Sequence, residues 1–245
     1  MDLKSKKEQI RLAGSLVWGS WYKRPFDLSL LVVAHLLLLP LWLLLWTIIP
    51  LAIRLSDWGP VFYKQKRTGK NGRVFTILKF RTMVPDAELT GPPWTTVKDP
   101  RVTWIGKFLR RTALDELPEV LNIWRGDMSL VGPRALEVAE QKELEQKIPG
   151  FAKRLQILPG LTGLAQIYDT DDTADGKYRY DMEYLTHMSP WQDLKLLMVS
   201  VRNTLGARWD RRTGKPPTTS SIPTAANLDS PQVEPINERT TNFRR

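Results

Sequence analysis

LSLLVVAHLLLLPLWLLLWTIIPLAI, residues Leu28–Ile53, is a continuous apolar stretch without a charged side chain, interrupted only by the mildly polar Ser29, His35 and Thr47. About 20 such residues suffice to cross the hydrocarbon core of a bilayer, so the stretch is predicted to lie in a membrane. It starts too far from the N-terminus, runs too long and lacks the small-residue cleavage pattern of a secretory signal peptide. The alternative, a helix buried in a soluble core, rarely has this length.

The flanks of this stretch indicate which side of the membrane its ends occupy. Both flanks are basic, and the tendency of cytoplasmic segments to carry Lys and Arg places both ends on the cytoplasmic side. Pro40, near the middle, removes a helix hydrogen bond and is expected to kink the helix. We predict a re-entrant membrane helix over residues 25–54 that bends at Pro40 and leaves by the same leaflet, with a conventional single span as the alternative. The flanking basic residues are Lys23, Arg24, Arg54, Lys64, Lys66 and Arg67.

Composition limits the classes of function. Thirty-six Lys and Arg residues against 26 Asp and Glu give the 245-residue chain a net charge of +10, which suits an anionic membrane surface, phosphorylated substrates or nucleic acid. No nucleic-acid-binding module is recognisable, and the cations cluster around apolar segments, so we expect no nucleic-acid partner. The lack of cysteine excludes disulfides and a thiol nucleophile. With only His35 and His187 as imidazoles, a Ser-His triad is not indicated.

Four regions follow from the composition. Residues 1–24 are basic and carry aromatic side chains, which predicts an interfacial leader, or else a disordered basic leader. Residues 25–54 form the membrane helix, and residues 55–206 form the domain at the cytoplasmic face that carries the candidate site. Residues 207–245 are rich in Pro, Thr, Ser and Asn with almost no apolar side chains, so we predict a disordered tail.

A β-hairpin is predicted soon after the membrane segment. Val61–Arg67 and Arg73–Met83 are rich in β-branched and aromatic residues and are joined by Thr68–Gly72, TGKNG. Lys79 and Arg81 have the same parity in the second strand and are therefore expected on one face. Such a pair suits a bound phosphate, and a simple solvated face suits the pattern equally well.

Helices and loops are predicted to surround this hairpin, giving an α/β fold that is mostly helical. Pro85–Pro100 has four prolines and is expected to be a loop beside the site. Val102–Arg111 alternates apolar and basic residues and is expected to be an amphipathic interfacial helix on a charged bilayer. Ser189–Gln192 is a capping box that opens a helix with an apolar stripe, predicted to face the core or the membrane. The stripe comprises Leu194, Leu197, Met198, Val201 and Leu205.

The candidate site lies in Arg110–Arg134, RRTALDELPEVLNIWRGDMSLVGPR. Asp115 is expected to cap a helix with Pro118 in its first turn, and Gly126 is expected to end it. A helix N-terminus stabilises both an ionised Asp115 and an anion brought to it. With Glu116 beside Asp115 and cations on both sides, the stretch predicts a site where a carboxylate meets a phosphate. The alternative is an acidic cap with solvated arginines. The cations are Arg110, Arg111 and Arg134.

Seven short motifs occur in order along the chain. They are Pro25-Phe-Asp27, Gly59-Pro-Val-Phe62, Gly69-Lys-Asn-Gly72, Lys79-Phe-Arg-Thr-Met83, Leu114-Asp-Glu-Leu-Pro118, Gly126-Asp-Met-Ser-Leu-Val-Gly-Pro-Arg134 and Pro159-Gly-Leu-Thr-Gly163. Any one of them alone is weak. Together they resemble the bacterial sugar transferase family, the monotopic phosphoglycosyl transferases, and the resemblance runs from about Lys23 to about Gly206.

The resemblance implies transfer of a sugar 1-phosphate from a nucleotide diphosphosugar, usually UDP-linked, to polyprenol (undecaprenyl) phosphate. The products are polyprenol-diphosphosugar and UMP, in the first membrane step of surface-glycan synthesis. It also implies a monotopic enzyme that penetrates one leaflet of the bacterial inner membrane, with its active site on the cytoplasmic face. Membrane lipids are expected partners, and a homo-oligomer is compatible with the sequence.

The resemblance assigns roles to residues. Asp115 and Glu116 match the family's catalytic dyad, with Asp115 as the nucleophile that forms a phosphosugar-aspartyl intermediate and Glu116 beside Mg²⁺. Cations are needed there because an anionic nucleophile must approach a diphosphate. The family's phosphate-binding positions fall on Lys79, Arg110 and Arg134, with Arg81 and Arg111 as supporting cations.

One departure from the family pattern concerns the membrane-helix break. Members often carry Ser-Pro there, whereas this chain has Leu39-Pro40. Pro40 still removes a backbone bond, but the hydroxyl that would satisfy the freed carbonyl is absent. His35, Thr47 or a water molecule is expected to compensate.

Two alternatives stay open. A metal-dependent glycosyltransferase would use Asp169 and Asp171, an Asp-x-Asp triplet among residues typical of a solvated loop, and would release a nucleoside diphosphate. A non-catalytic membrane anchor that recruits glycan machinery would use the acid pair merely as a helix cap. The sequence does not choose the donor sugar.

Overall fold

Helices dominate the computed structural model, which describes residues 3–91, 99–169 and 173–209, and two small β-sheets lie among them. The helices are α1 (Leu3–Leu37), α2 (Leu39–Asp57), α3 (Trp104–Thr112), α4 (Val120–Arg125), α5 (Val138–Lys147), α6 (Leu164–Tyr168), α7 (Ala174–His187) and α8 (Pro190–Leu205). The strands are β1 (Phe62–Thr68), β2 (Val74–Phe80), β3 (Ser129–Val131) and β4 (Gly160–Thr162). Short 3₁₀ helices cover Lys70–Gly72, Leu114–Glu119 and Phe151–Gln156. The predicted mostly helical fold with a small hairpin is confirmed.

The apolar N-terminal region forms two helices rather than one kinked helix. The break lies at Leu38, whose φ is −109° and ψ 21°, between α1 and α2. Pro40 lies in the first turn of α2, where its missing N–H removes no intrahelical bond. The prediction of a kink at Pro40 is therefore wrong in detail, because the helix breaks at Leu38 and Pro40 lies at the start of the second helix. No helix boundary separates the predicted leader from the predicted membrane helix, since α1 continues through residue 24.

Side chains near the break show how the chain bends. His35 Nδ1 lies 2.6 Å from the carbonyl oxygen of Leu31, and Thr47 Oγ1 donates to that of Leu43 at 2.7 Å. Both contact the carbonyl four residues back in their own helix. The compensation expected of His35 and Thr47 is therefore not observed, and with Pro40 in the first turn of α2 none is required. The His35 ring stacks on Trp42 with centroids 4.3 Å apart. Because residues seven apart in a straight helix are separated by about 10 Å along the axis, the chain bends toward this pair.

Both ends of the apolar region pack on the same protein body. Leu31 belongs to the main hydrophobic core, and Ile49 and Ile53 belong to a second core. Between them the side chains are largely exposed, with Leu36 and Leu37 at 73% and 75%. An exposed apolar surface is typical of a membrane or protein interaction site, and α2 is long and apolar enough to cross a bilayer. The re-entrant path itself stays a prediction.

The predicted hairpin is present, with β1 and β2 antiparallel and Phe62 opposite Phe80. Its turn places Asn71 at φ 55° and Gly72 at φ 76°, a left-handed conformation that these two residue types tolerate. β2 ends at Phe80, before the predicted end at Met83. Arg81 therefore lies outside the strand.

Asn122 of α4 fixes β2 against the segment 114–125, which comprises the 3₁₀ helix Leu114–Glu119 and α4 and is called the central stretch below. Its side chain is fully buried, accepts a hydrogen bond from Leu78 N at 3.1 Å and donates one to the carbonyl of Thr76 at 2.8 Å. One amide group thus satisfies a backbone donor and a backbone acceptor that a further strand would otherwise pair. The next residue of β2, Lys79, is thereby held beside the 3₁₀ helix Leu114–Glu119.

The central stretch begins as a 3₁₀ helix rather than as a capped α-helix. Leu114–Glu119 follows Ala113, which has φ 54°, and no side chain caps it. Asp115 lies inside this helix and is not its N-cap, which corrects the prediction. Gly126, at φ 86°, ends α4 as predicted.

The second sheet joins two of the sequence motifs. β3 and β4 are parallel, with Val131 opposite Thr162. A Cβ atom on Gly160 would collide with the backbone nitrogen of Gly132, and one on Gly163 would collide with the Gly132 carbonyl. Glycine is therefore required for the close approach of the two segments, which brings the backbone of Arg134 beside β4.

Two helices carry exposed apolar faces. On α3, Trp104 and Phe108 are exposed whereas Ile105 and Leu109 are buried, so this helix is amphipathic as predicted.

On α8 the N-cap bond of the predicted capping box is present, with Ser189 Oγ accepting from Gln192 N at 3.2 Å. Met198, Val201 and Leu205 are exposed, so this part of the predicted stripe lies outside the core.

Lys23 anchors α1 to the body of the protein. Its Nζ donates to Asp193 Oδ2 at 2.8 Å, to Tyr184 Oη at 3.0 Å and to the carbonyl of Val131 at 2.6 Å. Both charged groups are buried, Lys23 at 7% exposure and Asp193 at 0%. One ammonium group therefore joins α1 to β3, α7 and α8 with all three of its donors used.

Replacing Lys23 tests this anchor. Lys23→Met should lower the free energy of unfolding by about 3–5 kcal/mol, because it leaves Asp193 buried without its counter-charge. Thermal unfolding of the detergent-solubilised protein measures the change as a lower midpoint. Lys66→Met, at an exposed position of β1, is the matched control and should change stability by no more than about 0.5 kcal/mol. Equal midpoints for the two variants would contradict the anchor.

Single cysteines test the re-entrant path, since the chain has no cysteine of its own. Ala13→Cys on α1 and Lys66→Cys on β1, both exposed, should react with a membrane-impermeant maleimide in inverted vesicles but not in intact cells. Leu37→Cys should be protected in both, because lipid surrounds the break. Reaction of the two outer cysteines from opposite sides would establish a single span instead.

Candidate active site

Lys79 on β2 lies between two carboxylates of the 3₁₀ helix. Its Nζ is 2.6 Å from Glu116 Oε1 and 3.1 Å from Glu119 Oε1. Residues three apart in a 3₁₀ helix lie on the same side, so both glutamates face the strand. The ammonium group thus holds the helix against β2.

Arg134 reaches Glu116 from the other side. Its Nη2 lies 3.1 Å from the same Oε1 atom that Lys79 contacts. Burial alone would raise the pKa of Glu116, but the attraction of Lys79 and Arg134 outweighs it and lowers the pKa to about 2. Glu116 is therefore ionised at neutral pH.

Asp115, adjacent to Glu116 in sequence, has a different environment. Burial raises the pKa of Asp115, the positive charge of Lys79 opposes this, and the negative charge of Glu116 adds to it. Within the described part of the chain, no hydrogen bond or ion pair engages its carboxylate. The dyad is thus divided into one acid held by two cations and one acid that faces the cleft.

The cleft beside Asp115 has a volume of about 1640 Å³. Arg110 of α3 lines it and donates from Nε to Thr82 Oγ1 at 2.8 Å. Lys79, Glu116 and Arg134 line the same end of the cleft. The structure therefore brings a carboxylate and three cations to one surface, as a site for a phosphorylated ligand requires.

A family model matches most of the chain. The model of the family described as bacterial sugar transferase matches residues 18–207, which include the whole of the cleft end just described. This chain belongs to the bacterial sugar transferase family.

Relatives of this bacterial sugar transferase carry names that differ in the sugar. The UDP-glucose:undecaprenyl-phosphate glucose-1-phosphate transferase of Escherichia coli K12 is 38% identical over 185 residues, which cover 73% of this chain and 39% of that protein. The UDP-N-acetylgalactosamine-undecaprenyl-phosphate N-acetylgalactosaminephosphotransferase of Aeromonas hydrophila is 36% identical over 206 residues, covering 80% and 48%. The exopolysaccharide production protein ExoY of Sinorhizobium fredii is 37% identical over 199 residues, covering 75% and 85%. The chain thus spans less than half the length of the first two.

Two of the cations predicted for the site of this bacterial sugar transferase do not face the dyad. Arg81 is paired with another residue, and Arg111 lies outside the cleft. Arg81 borders the cleft, but its guanidinium forms an ion pair with Asp57, at the end of α2, and donates to the carbonyl of Met83 at 2.8 Å. It ties α2 to the hairpin rather than sharing a free face with Lys79. Arg111 is exposed and does not line the cleft, so it is not brought to the dyad.

Two further residues support the site without having been predicted. Glu119 is buried, and burial raises its pKa to about 7 despite Lys79 nearby. The signal in the sequence that could have identified Glu119 is its spacing of three residues from Glu116. In a 3₁₀ helix this spacing places both side chains on the same face. Arg154 is also buried and donates to Asp181 Oδ2 at 2.7 Å and to the carbonyl of Arg134 at 2.7 Å. It therefore holds the backbone from which Arg134 reaches Glu116.

The residues that could hold a metal are few. Within the ranges that the structure describes, no group of three or more His, Cys, Asp or Glu side chains is placed to bind one. Mg²⁺ commonly takes one or two carboxylates and completes its shell with water and substrate phosphates, and Glu116, which lines the cleft, fits that form as a single carboxylate ligand. Asp169 borders the cleft, whereas Asp171, the other acid of the Asp-x-Asp triplet, lies outside the described residues.

Glu119 gives a prediction for stability against pH. Its pKa is raised to about 7 from an ordinary value of 4.5, so the folded protein binds the proton more tightly than the unfolded chain. Wild-type stability should therefore fall relative to Glu119→Gln as the pH rises from about 4.5 to 7, by up to about 3 kcal/mol, and the gap should stay constant above that. Unfolding midpoints of both proteins across this range measure it. A gap that does not change with pH would contradict the raised pKa.

Proposed function

We propose that this chain transfers a sugar 1-phosphate from a UDP-sugar to undecaprenyl phosphate, giving polyprenol-diphosphosugar and UMP, the first membrane step of surface-polysaccharide or glycoconjugate synthesis. Membership of the bacterial sugar transferase family and the names of its relatives support the reaction. The observation that carries the mechanism is the carboxylate of Asp115, which borders the cleft amid Lys79, Arg110 and Arg134.

In the first step, a carboxylate oxygen of Asp115 bonds to the β-phosphorus of the UDP-sugar. The bond between that phosphorus and the bridging oxygen breaks, and UMP leaves with the electron pair. A carboxylate is a weak nucleophile toward an anion, so cations must offset the repulsion and stabilise the charge on the transferring group. Lys79, Arg110 and Arg134 supply positive charge at that end of the cleft.

In the second step, a phosphate oxygen of undecaprenyl phosphate bonds to the same phosphorus. The phosphorus–aspartyl bond breaks and the carboxylate of Asp115 is regenerated. Glu116, ionised and held by two cations, keeps Lys79 and Arg134 in place through both steps. The two adjacent acids therefore have separate roles, one as nucleophile and one as organiser of the cations.

Mg²⁺ belongs to this proposal as the cofactor beside Glu116. When bound, the ion would offset charge on the diphosphate oxygens. Glu116 would supply its protein ligand, with the remaining positions left to substrate and water.

The enzyme is proposed to be monotopic in the bacterial inner membrane, with the re-entrant pair α1 and α2 embedded from the cytoplasmic side. The exposed apolar residues around Leu38 and the packing of both flanking segments on one body support this placement. Membrane lipids would surround that tip.

Asp115→Asn tests the nucleophile. Turnover should fall by about 10⁴-fold or more, since removing an attacking side chain removes the covalent route, while membrane association and UDP-sugar binding persist. UMP release with a panel of UDP-sugars and undecaprenyl phosphate is the measurement. Asp175→Asn, at an exposed position outside the cleft, is the matched control.

The nucleotide product separates the rival functions. Release of UDP in place of UMP would indicate a metal-dependent glycosyltransferase, and release of no nucleotide by the wild type would indicate a non-catalytic anchor. An active Asp115→Asn enzyme would refute the assigned nucleophile.

A further inference from the structure

The cleft of this protein continues beyond the cations into an apolar part. Its wall there is formed by β4, α6, α8 and the chain that follows α8. The apolar side chains along it are Leu161, Ala165, Leu197, Val201, Leu205 and Trp209, and polar side chains of the same segments, Thr162, Gln166, Asp169, Ser200 and Thr204, line it as well. A nucleotide sugar has a base that can stack on an aromatic ring but no hydrocarbon chain, so it cannot fill the aliphatic part of this wall.

This part of the cleft is held in shape by a hydrogen bond between its two walls and opens to solvent. Thr162 Oγ1 and Ser200 Oγ lie 2.6 Å apart and fasten α8 to β4 along the groove. Val201 and Leu205 line the groove and are also 52% and 83% exposed. The groove is therefore continuous with the exposed apolar face of α8.

The neighbouring surface is suited to lipid as well. α3 packs against α8, and its Trp104 and Phe108 are exposed at 70% and 53%. An aromatic and aliphatic surface of this kind is typical of helices that lie at a membrane interface. The groove thus leads from phosphate-binding cations to a surface where hydrocarbon is available.

We infer that the groove between α8 and the β4–α6 segment binds the isoprenoid chain of the acceptor, with its phosphate toward Arg110 and Arg134. This inference rests on the proposed function. Its basis is complementarity, because the groove has positive charge at one end and apolar side chains at the other, and the acceptor has an anionic head joined to a hydrocarbon tail. The UDP-sugar and the acceptor would then approach the dyad through different parts of one cleft.

Narrowing the groove tests the inference. Leu197→Trp and Val201→Trp place a larger side chain against the apolar wall. They should raise KM for undecaprenyl phosphate by about tenfold, with little change in KM for a two-isoprene phosphate whose tail is too short to follow the groove. The amount of UMP released from UDP-sugar in a single turnover without acceptor should stay at the wild-type level. Met198→Trp, an exposed apolar position on α8 that does not line the cleft, is the matched control.

The outcomes separate failure of this inference from failure of the proposed function. If the wild type releases UMP but the two groove variants match Met198→Trp, or lose affinity equally for the short acceptor, the groove does not bind the chain. If the wild type releases no UMP at all, the proposed function fails and the inference with it.

Photocrosslinking provides a second test that requires no variant. An undecaprenyl phosphate analogue with a diazirine in its first isoprene units should label residues 190–205 of the wild-type protein, and excess unlabelled undecaprenyl phosphate should suppress the labelling. Equal suppression by phosphatidylglycerol would mean that the groove holds any anionic lipid, and labelling confined to α2 would place the chain elsewhere. Either result would overturn the assignment.

Discussion

The ion pair of Lys79 with two glutamates is the interaction on which the site depends. A buried ammonium group is unfavourable unless it is paired and hydrogen-bonded. Here the ionised Glu116 supplies the counter-charge, and Glu119, whose pKa is raised to about 7, supplies a second oxygen from the same side of the 3₁₀ helix. The position of the hairpin therefore depends on that of the central stretch, and the reverse holds as well. Asn122 adds a neutral clamp by pairing with the backbone of β2 on either side of Ile77. With both contacts made, Asp115 is left at the border of the cleft.

The same charges separate the behaviour of two adjacent acids. Lys79 and Arg134 lower the pKa of Glu116, whereas burial raises that of Asp115. Pairs of carboxylates whose environments move their pKa values apart commonly have different roles in one reaction. Arg154, a buried residue of the 3₁₀ helix Phe151–Gln156, donates a hydrogen bond to the carbonyl of Arg134. It therefore helps to position the positive charge of Arg134 beside the dyad. α2 is tied to this system through the Arg81–Asp57 pair at its end.

Sequence patterns predicted those features that depend on local chemistry. The apolar segment, the hairpin with its Asn-Gly turn, the end of α4 at Gly126 and the capping box of α8 are each encoded within a few residues. Features that depend on tertiary partners were not predictable in this way. Arg81 has the same strand parity as Lys79, but its guanidinium forms an ion pair with Asp57, which is distant in sequence, and so is not available to the site. Asp115 resembles an N-cap, but the left-handed Ala113 starts a 3₁₀ helix instead, and the resulting period of three is what places Glu119 beside Lys79.

The central claim is that Asp115 becomes covalently bonded to phosphorus during turnover. Mass spectrometry of the wild-type enzyme, quenched in acid after mixing with UDP-sugar and without acceptor, tests it most directly. The account predicts a peptide containing residue 115 that is heavier by one sugar phosphate, and loss of that adduct when undecaprenyl phosphate is added before the quench. Turnover that releases UMP with no adduct at any time point, or with an adduct on a different residue, would contradict it.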